Sequence, residues 1–133
     1  MSVKVEHRVH FYETDQMGVV HHANYFRWFE LGRVEYLRAI GVTLVELIND
    51  NILFPITEID AKFHAPARYD DLISIETTAV ELTKVKLVFD YKISIVGDEK
   101  ILVTGHSLNV FTDASSGKII RVPEKYFERF RLI

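Results

Sequence analysis

The sequence predicts an α+β chain in which one five-stranded antiparallel sheet curls around a long buried helix. Three observations carry this. A segment over 24–40 repeats apolar side chains at helical spacing and is apolar nearly all round. One run of alternating polarity precedes it, and four strand-like runs follow it in succession. The links between the later runs are short, which favours antiparallel neighbours. A single very apolar helix beside a single sheet has one economical solution, helix packed on sheet.

The elements follow in chain order. Over 3–12, Val3, Val5, Val9 and Phe11 alternate with Lys4, Glu6, Arg8 and His10, the signature of a half-buried strand. Residues 14–22 carry Gly18 and small polar side chains and read as a loop. Tyr25, Phe26, Trp28, Phe29, Leu31, Val34, Tyr36, Leu37 and Ile40 then mark the helix, with Gly41 as its stop. Thr43-Leu44-Val45-Glu46 has the form of a capping box that opens a short helix toward Asn51. Strands are predicted over 54–63, 72–82, 84–96 and 101–112. In the third of these, Val85, Leu87, Phe89, Tyr91, Ile93 and Ile95 share one face. Gly97-Asp98 and Ser115-Ser116-Gly117 mark turns, and Pro123 opens a final helical turn or two ending near Phe130. The sheet leaves open edges, which pairing between two copies would close, so a homodimer is expected.

Composition narrows the function. The chain of 133 residues is 48% hydrophobic and 26% charged, the profile of one globular domain over 1–133. It has no cysteine, which excludes a thiol nucleophile, a disulfide scaffold and a cysteine-held zinc. A net charge of -3 gives nucleic-acid binding no electrostatic support. No 18-residue stretch is free of charge, so no transmembrane segment is expected, and MSVKVEHRV lacks the apolar run of a secretory signal. The cytoplasm is the expected location. No phosphate-binding loop, dinucleotide glycine pattern or Gly-x-Ser-x-Gly elbow is present.

The chemistry concentrates in Tyr12-Glu13-Thr14-Asp15-Gln16-Met17-Gly18-Val19-Val20-His21-His22-Ala23-Asn24-Tyr25. An acid and two histidines stand on a loop that runs into a helix N-terminus. The first amides of a helix are unpaired and its dipole is positive there, so a carbonyl docked at that end finds donors for a developing oxyanion. Asp15 stands where it can activate water or attack directly. Taken alone, an aspartate in a glycine-containing loop equally closes an Asx-turn or caps a helix, and Asn24 fits a helix cap. His21 and His22 point apart, and His7 and His10 fall on opposite faces of the predicted strand, so no metal site is expected. Tyr25, Trp28 and Phe29 fit the core. Glu13 and Glu58 are candidate auxiliary acids. Lys84 and Lys86 fit either a phosphate-binding rim or a solvated strand face.

The pattern Asp15-x-x-Gly18-Val19-Val20-x-His22-x-Asn24-Tyr25 resembles the 4-hydroxybenzoyl-CoA thioesterase family of hotdog-fold acyl-CoA thioesterases, most of all its Tol–Pal-associated members. His64-Ala65-Pro66-Ala67-Arg68-Tyr69-Asp70-Asp71 and Val122-Pro123-Glu124-Lys125-Tyr126 extend the likeness over most of the chain. The resemblance implies a hotdog fold, hydrolysis of an acyl-CoA thioester, and a site at a dimer interface, in a homodimer or homotetramer. It assigns Asp15 as general base or nucleophile and His22 as the residue whose backbone N–H polarises the carbonyl, helped by Ala23. Gly18, Val19, Asn24 and Tyr25 would shape the acyl site, and Lys84 and Lys86 would meet the CoA phosphates. No cofactor is implied, since CoA is part of the substrate, and acyl carrier protein is a conceivable partner. Dehydration of a 3-hydroxyacyl thioester and non-catalytic acyl-CoA binding are the alternatives on the same scaffold.

Overall fold

The computed structural model describes residues 1–131. Strands β1 (Ser2–Arg8), β3 (Ile56–Phe63), β4 (Leu72–Leu82), β5 (Lys86–Ile95) and β6 (Ile101–Val110) form one sheet in the order β1-β4-β5-β6-β3. Every neighbouring pair is antiparallel. A two-residue ladder, β2 (Ile52–Leu53) with β7 (Thr112–Asp113), stands apart. Helices α1 (Ala23–Ala39), α2 (Leu44–Asn49) and α3 (Glu124–Phe130) complete the chain. The sheet wraps α1, which is the hotdog arrangement. Among the described residues, no helix is long and apolar enough to cross a membrane.

The predicted alternation holds from Leu87 to Ile93, where Leu87, Phe89, Tyr91 and Ile93 are buried against α1, whereas Val85 lies ahead of the strand and is exposed and Ile95 is half-buried. On β6 the facing residue is Gly105. A Cβ there would lie 2.6 Å from the Phe29 ring and 2.6 Å from the Asp60 carbonyl oxygen. Phe29 therefore lies flat over the sheet and stacks on Tyr91 at 4.3 Å. Below it Arg33 donates to Tyr91 OH (3.1 Å), which shares a 2.6 Å hydrogen bond with Ser107.

Three expectations change. The first strand ends at Arg8 rather than Tyr12. Arg8 pairs with Leu72, the first residue of β4; beyond it only Val9 still bonds the chain ahead of β4, its N–H to the Asp71 carbonyl (2.9 Å) and its carbonyl to the Asp70 N–H (3.1 Å). The chain turns through a 3-10 segment, Phe11–Glu13, and Phe11 becomes exposed. Helix α1 is not buried on several sides. Asn24, Tyr25, Trp28, Phe29, Gly32, Arg33, Tyr36 and Leu37 form one buried stripe, while Leu31 faces outward. The capping box is half formed. Thr43 Oγ1 accepts from Glu46 N–H (3.1 Å), but the Glu46 carboxylate turns to Arg129 instead of back to Thr43. The predicted stop holds: Gly41 takes a φ of +82°, and Val42 N–H bonds the Leu37 carbonyl.

Candidate active site

The loop between the 3-10 segment and α1 is folded around Asp15. Asp15 N–H bonds the Val19 carbonyl (2.8 Å), and Gly18 N–H bonds the Asp15 carbonyl (3.1 Å). Gly18 has a φ of +77°, where a side chain would be strained. Asp15 Oδ1 accepts from Met17 N–H (2.8 Å) and, at longer range, from Val19 N–H (3.4 Å). Its Oδ2 has no donor among the described residues and remains available. Val19 bridges to Arg68, and Val20 N–H bonds the Ala67 carbonyl (2.9 Å), so the loop is strapped to the segment ahead of β4.

His22 is the N-cap residue of α1 and already has helical backbone angles. Its N–H has no acceptor among the described residues. Ala23 N–H, by contrast, donates to His21 Nδ1 (3.2 Å). Of the two amides expected to face a carbonyl, Ala23 N–H is thereby occupied, and His22 N–H is the one without an acceptor among the described residues. Asn24 does not cap the helix. Its Nδ2 donates to the Glu13 carbonyl (2.8 Å) and its Oδ1 accepts from Arg27. Tyr25 is buried, its hydroxyl accepts from Ala67 N–H (3.0 Å), and burial pushes that hydroxyl's pKa up.

His22 and Tyr25 line an open cleft of about 310 Å³ with Val20, Phe63, His64 and Pro66. Asp15, Gly18 and Val19 do not line it in the single chain; they stand on the adjoining loop. Lys84 is paired with Glu124 (3.6 Å) and lies over the Phe127 ring, and Lys86 is paired with Glu81 (3.0 Å). Neither lysine reaches the cleft. A larger concavity, about 730 Å³, lies between Lys4, Glu6, Glu76 and Lys92 on the outer sheet face, away from Asp15.

Of the two auxiliary acids, Glu58 is exposed on β3, whereas Glu13 is buried. Glu13 Oε1 accepts from His10 N–H (2.7 Å) and contacts His7 Nε2 (2.9 Å), and Oε2 accepts from the Trp28 indole N–H (2.8 Å). Burial pushes this carboxyl up, but the hydrogen bonds from His10, His7 and Trp28 together outweigh it and hold it below its ordinary value. The early end of β1 also overturns the placing of His7 and His10 on opposite faces. Their rings meet at 5.2 Å, and with Glu13 they offer ligand atoms within 4.8 Å of one another. Only the burial of Trp28, whose indole N–H needs an acceptor, hinted at a buried partner for it.

Residues 9–130 match the family model described as the thioesterase-like superfamily. The chain is 29% identical to the acyl-CoA thioester hydrolase YbgC of Escherichia coli O6:H1, over 93% of this chain and 92% of that one. It also superposes on the 4-hydroxybenzoyl CoA thioesterase from Pseudomonas sp. strain CBS-3 with a TM-score of 0.84 at 26% identity, covering 96% of this chain and 98% of that one.

Proposed function

The chain belongs to the thioesterase-like superfamily, and from that premise we propose that it hydrolyses an acyl-CoA thioester to a free acid and CoA. One observation carries the mechanism. Asp15 has one oxygen anchored by loop amides and the other free, on the loop that delivers the unpaired His22 N–H at the positive end of a 17-residue helix. The thioester carbonyl oxygen accepts from the His22 amide, aided by the helix dipole. Asp15 Oδ2 takes a proton from water as the water oxygen bonds the carbonyl carbon. The C–S bond then breaks, CoA leaves as the thiolate, and the proton held by Asp15 returns to the sulfur. Direct attack by Asp15 through a mixed anhydride, then hydrolysed, gives the same products. Neither route uses a metal or redox cofactor.

The site is completed by a second copy. Strand β3 is an open edge, with every residue from Ile56 to Asp60 exposed. Beside the Asp15 loop, Phe11, Tyr12 and Met17 are 75%, 78% and 79% exposed, a concentration of apolar surface that a partner would cover. Antiparallel pairing of two β3 edges extends the sheet and brings a partner's surface over the cleft. The assembly is a homodimer or a dimer of such dimers, located in the cytoplasm with its CoA ester. An acyl chain on acyl carrier protein presents the same thioester and is a second donor to assay.

Asp15→Asn tests the proposal. The amide oxygen can still accept from Met17 and Val19, so the loop keeps its fold while the base is lost. Thiol release from a panel of short-chain, long-chain and aromatic acyl-CoAs should fall by about 10²–10⁴-fold. Full activity in a folded variant refutes the role of Asp15. An enoyl-thioester absorbance without thiol release would mark a dehydratase.

A further inference from the structure

We propose that Glu13 is a positioning residue for the hydrolysis, fixing the separation between the Asp15 carboxylate and the His22 amide; this rests on the thioesterase reading above. Glu13 stands where three segments meet. Its side chain holds the end of β1 through His7 and the His10 N–H, and it holds α1 through the Trp28 indole. Its carbonyl accepts from His21 N–H (2.9 Å) and Asn24 Nδ2 (2.8 Å). That second set closes the loop carrying Asp15 at both of its ends and pins the first turn of α1 to it. One residue thus ties the acid's loop to the oxyanion donor's helix through both its main chain and its side chain.

The site requires a carboxylate. The His10 N–H and the Trp28 N–H are fixed donors aimed at different oxygens of Glu13. A glutamine has only one acceptor oxygen, so its NH₂ must face either the indole N–H or the His10 amide, donor against donor. An aspartate is one methylene shorter and cannot span the same donors. The contact network moves when the acceptor pair is broken, and a displacement of about 1 Å at a reacting group costs on the order of 10²-fold in rate.

The experiment compares the parent with Glu13→Gln, Trp28→Phe, Asn24→Ala and the double variant E13Q/W28F. Thermal melts are recorded beside kcat and KM for thiol release. Glu13→Gln should lower kcat by about 10–100-fold while KM stays within about twofold. In E13Q/W28F the indole N–H is gone and the glutamine NH₂ has no donor opposite it, so kcat should recover above that of Glu13→Gln. A residue needed only for stability would shift the melts, coupled between the two positions, and leave kcat of the folded variants at the parent's value. Asn24→Ala removes the tie from the Glu13 carbonyl to the first turn of α1, leaving His21 N–H on that carbonyl and the carboxylate untouched, and should also lower kcat more than it raises KM, whether or not Glu13→Gln folds. A folded Glu13→Gln or Asn24→Ala with parental kcat overturns the inference and leaves the thioesterase reading standing. A parent that releases no thiol from any donor overturns that reading and the inference together.

Discussion

Seating α1 on the sheet depends on Gly32, and replacing it gives a sharp test of the packing. A Cβ at Gly32 would lie 2.2 Å from Thr77 Oγ1 and 3.1 Å from Ile75 Cγ2. Ordinary contact needs about 3.4–4 Å, so an alanine overlaps the threonine by more than about 1 Å. Thr77 is fully buried and branched at Cβ, so rotating it only exchanges the hydroxyl for a methyl. The helix must lift. Overpacking of this kind costs about 1–3 kcal/mol, offset by about 1 kcal/mol because alanine favours helix over glycine. With so large an overlap, Gly32→Ala should destabilise by about 2 kcal/mol, taking the melting temperature down by about 6–8 °C for a chain of this size. Thr77→Ala supplies the control. It removes a buried hydroxyl that has no hydrogen-bond partner among the described residues, a gain of about 1–3 kcal/mol that offsets the lost methyl. In that background Cβ-32 meets Cβ-77 at 3.5 Å, an ordinary contact. The remaining 3.1 Å approach to Ile75 Cγ2 is offset by the helix preference of alanine, so the double variant should be about as stable as Thr77→Ala, a coupling of about 2 kcal/mol. Urea unfolding followed by far-UV circular dichroism, at one protein concentration, measures all four proteins. Coupling below about 0.5 kcal/mol would show that Thr77 does not limit the approach of α1.

The depressed carboxyl of Glu13 gives a pH dependence. A group whose pKa is lowered on folding contributes stability that is fully present above its ordinary value of 4.5 and is lost as pH falls through the lowered one. Glu13→Gln should therefore be less stable than the parent at pH 6, with the two converging in acid; parallel stability curves in a pH series of urea titrations would contradict this. At Gly18 an added Cβ meets nothing within 4 Å, so Gly18→Ala carries only the cost of the left-handed backbone, about 1 kcal/mol. Because that backbone closes the turn on Asp15, its kcat should fall with little change in KM, and a melt unchanged from the parent would show the turn to be unstrained.

The sheet and central helix were legible because their signals are local. The alternation from Leu87 to Ile93 needs no knowledge of the partner strand to mark a buried face, and Gly41 ends α1 by its own backbone freedom. The end of β1 was not legible. Val9 and Phe11 continue the alternation, but the strand stops where β4 begins, and that register is set by residues more than sixty positions away. The face of α1 was likewise ambiguous. Phe26, Leu31 and Val34 are apolar, yet in one chain they flank the buried stripe or point outward. The ladder of Ile52–Leu53 with Thr112–Asp113 is too short to announce itself by periodicity.

At the site, residue type singled out Asp15 and His22 as candidates but misplaced the side chains around them. Asn24 is a good capping residue by type, and its amide instead reaches the Glu13 carbonyl. Glu13 reads in the sequence only as a candidate auxiliary acid and becomes the most heavily bonded carboxylate in the region once Trp28 folds over it. Asp15 itself shows why the bland and the chemical readings of such a residue need not compete. A carboxylate has two oxygens. The Met17 and Val19 amides occupy Oδ1 and fix the side chain in an Asx-turn, as an aspartate beside a glycine turn commonly is. Among the described residues Oδ2 is left without a donor, on a side chain that its Oδ1 bonds hold in place. In the proposed mechanism the turn positions that free oxygen as the base, since a base with unrestricted rotamers would lose much of the advantage that fixed geometry gives.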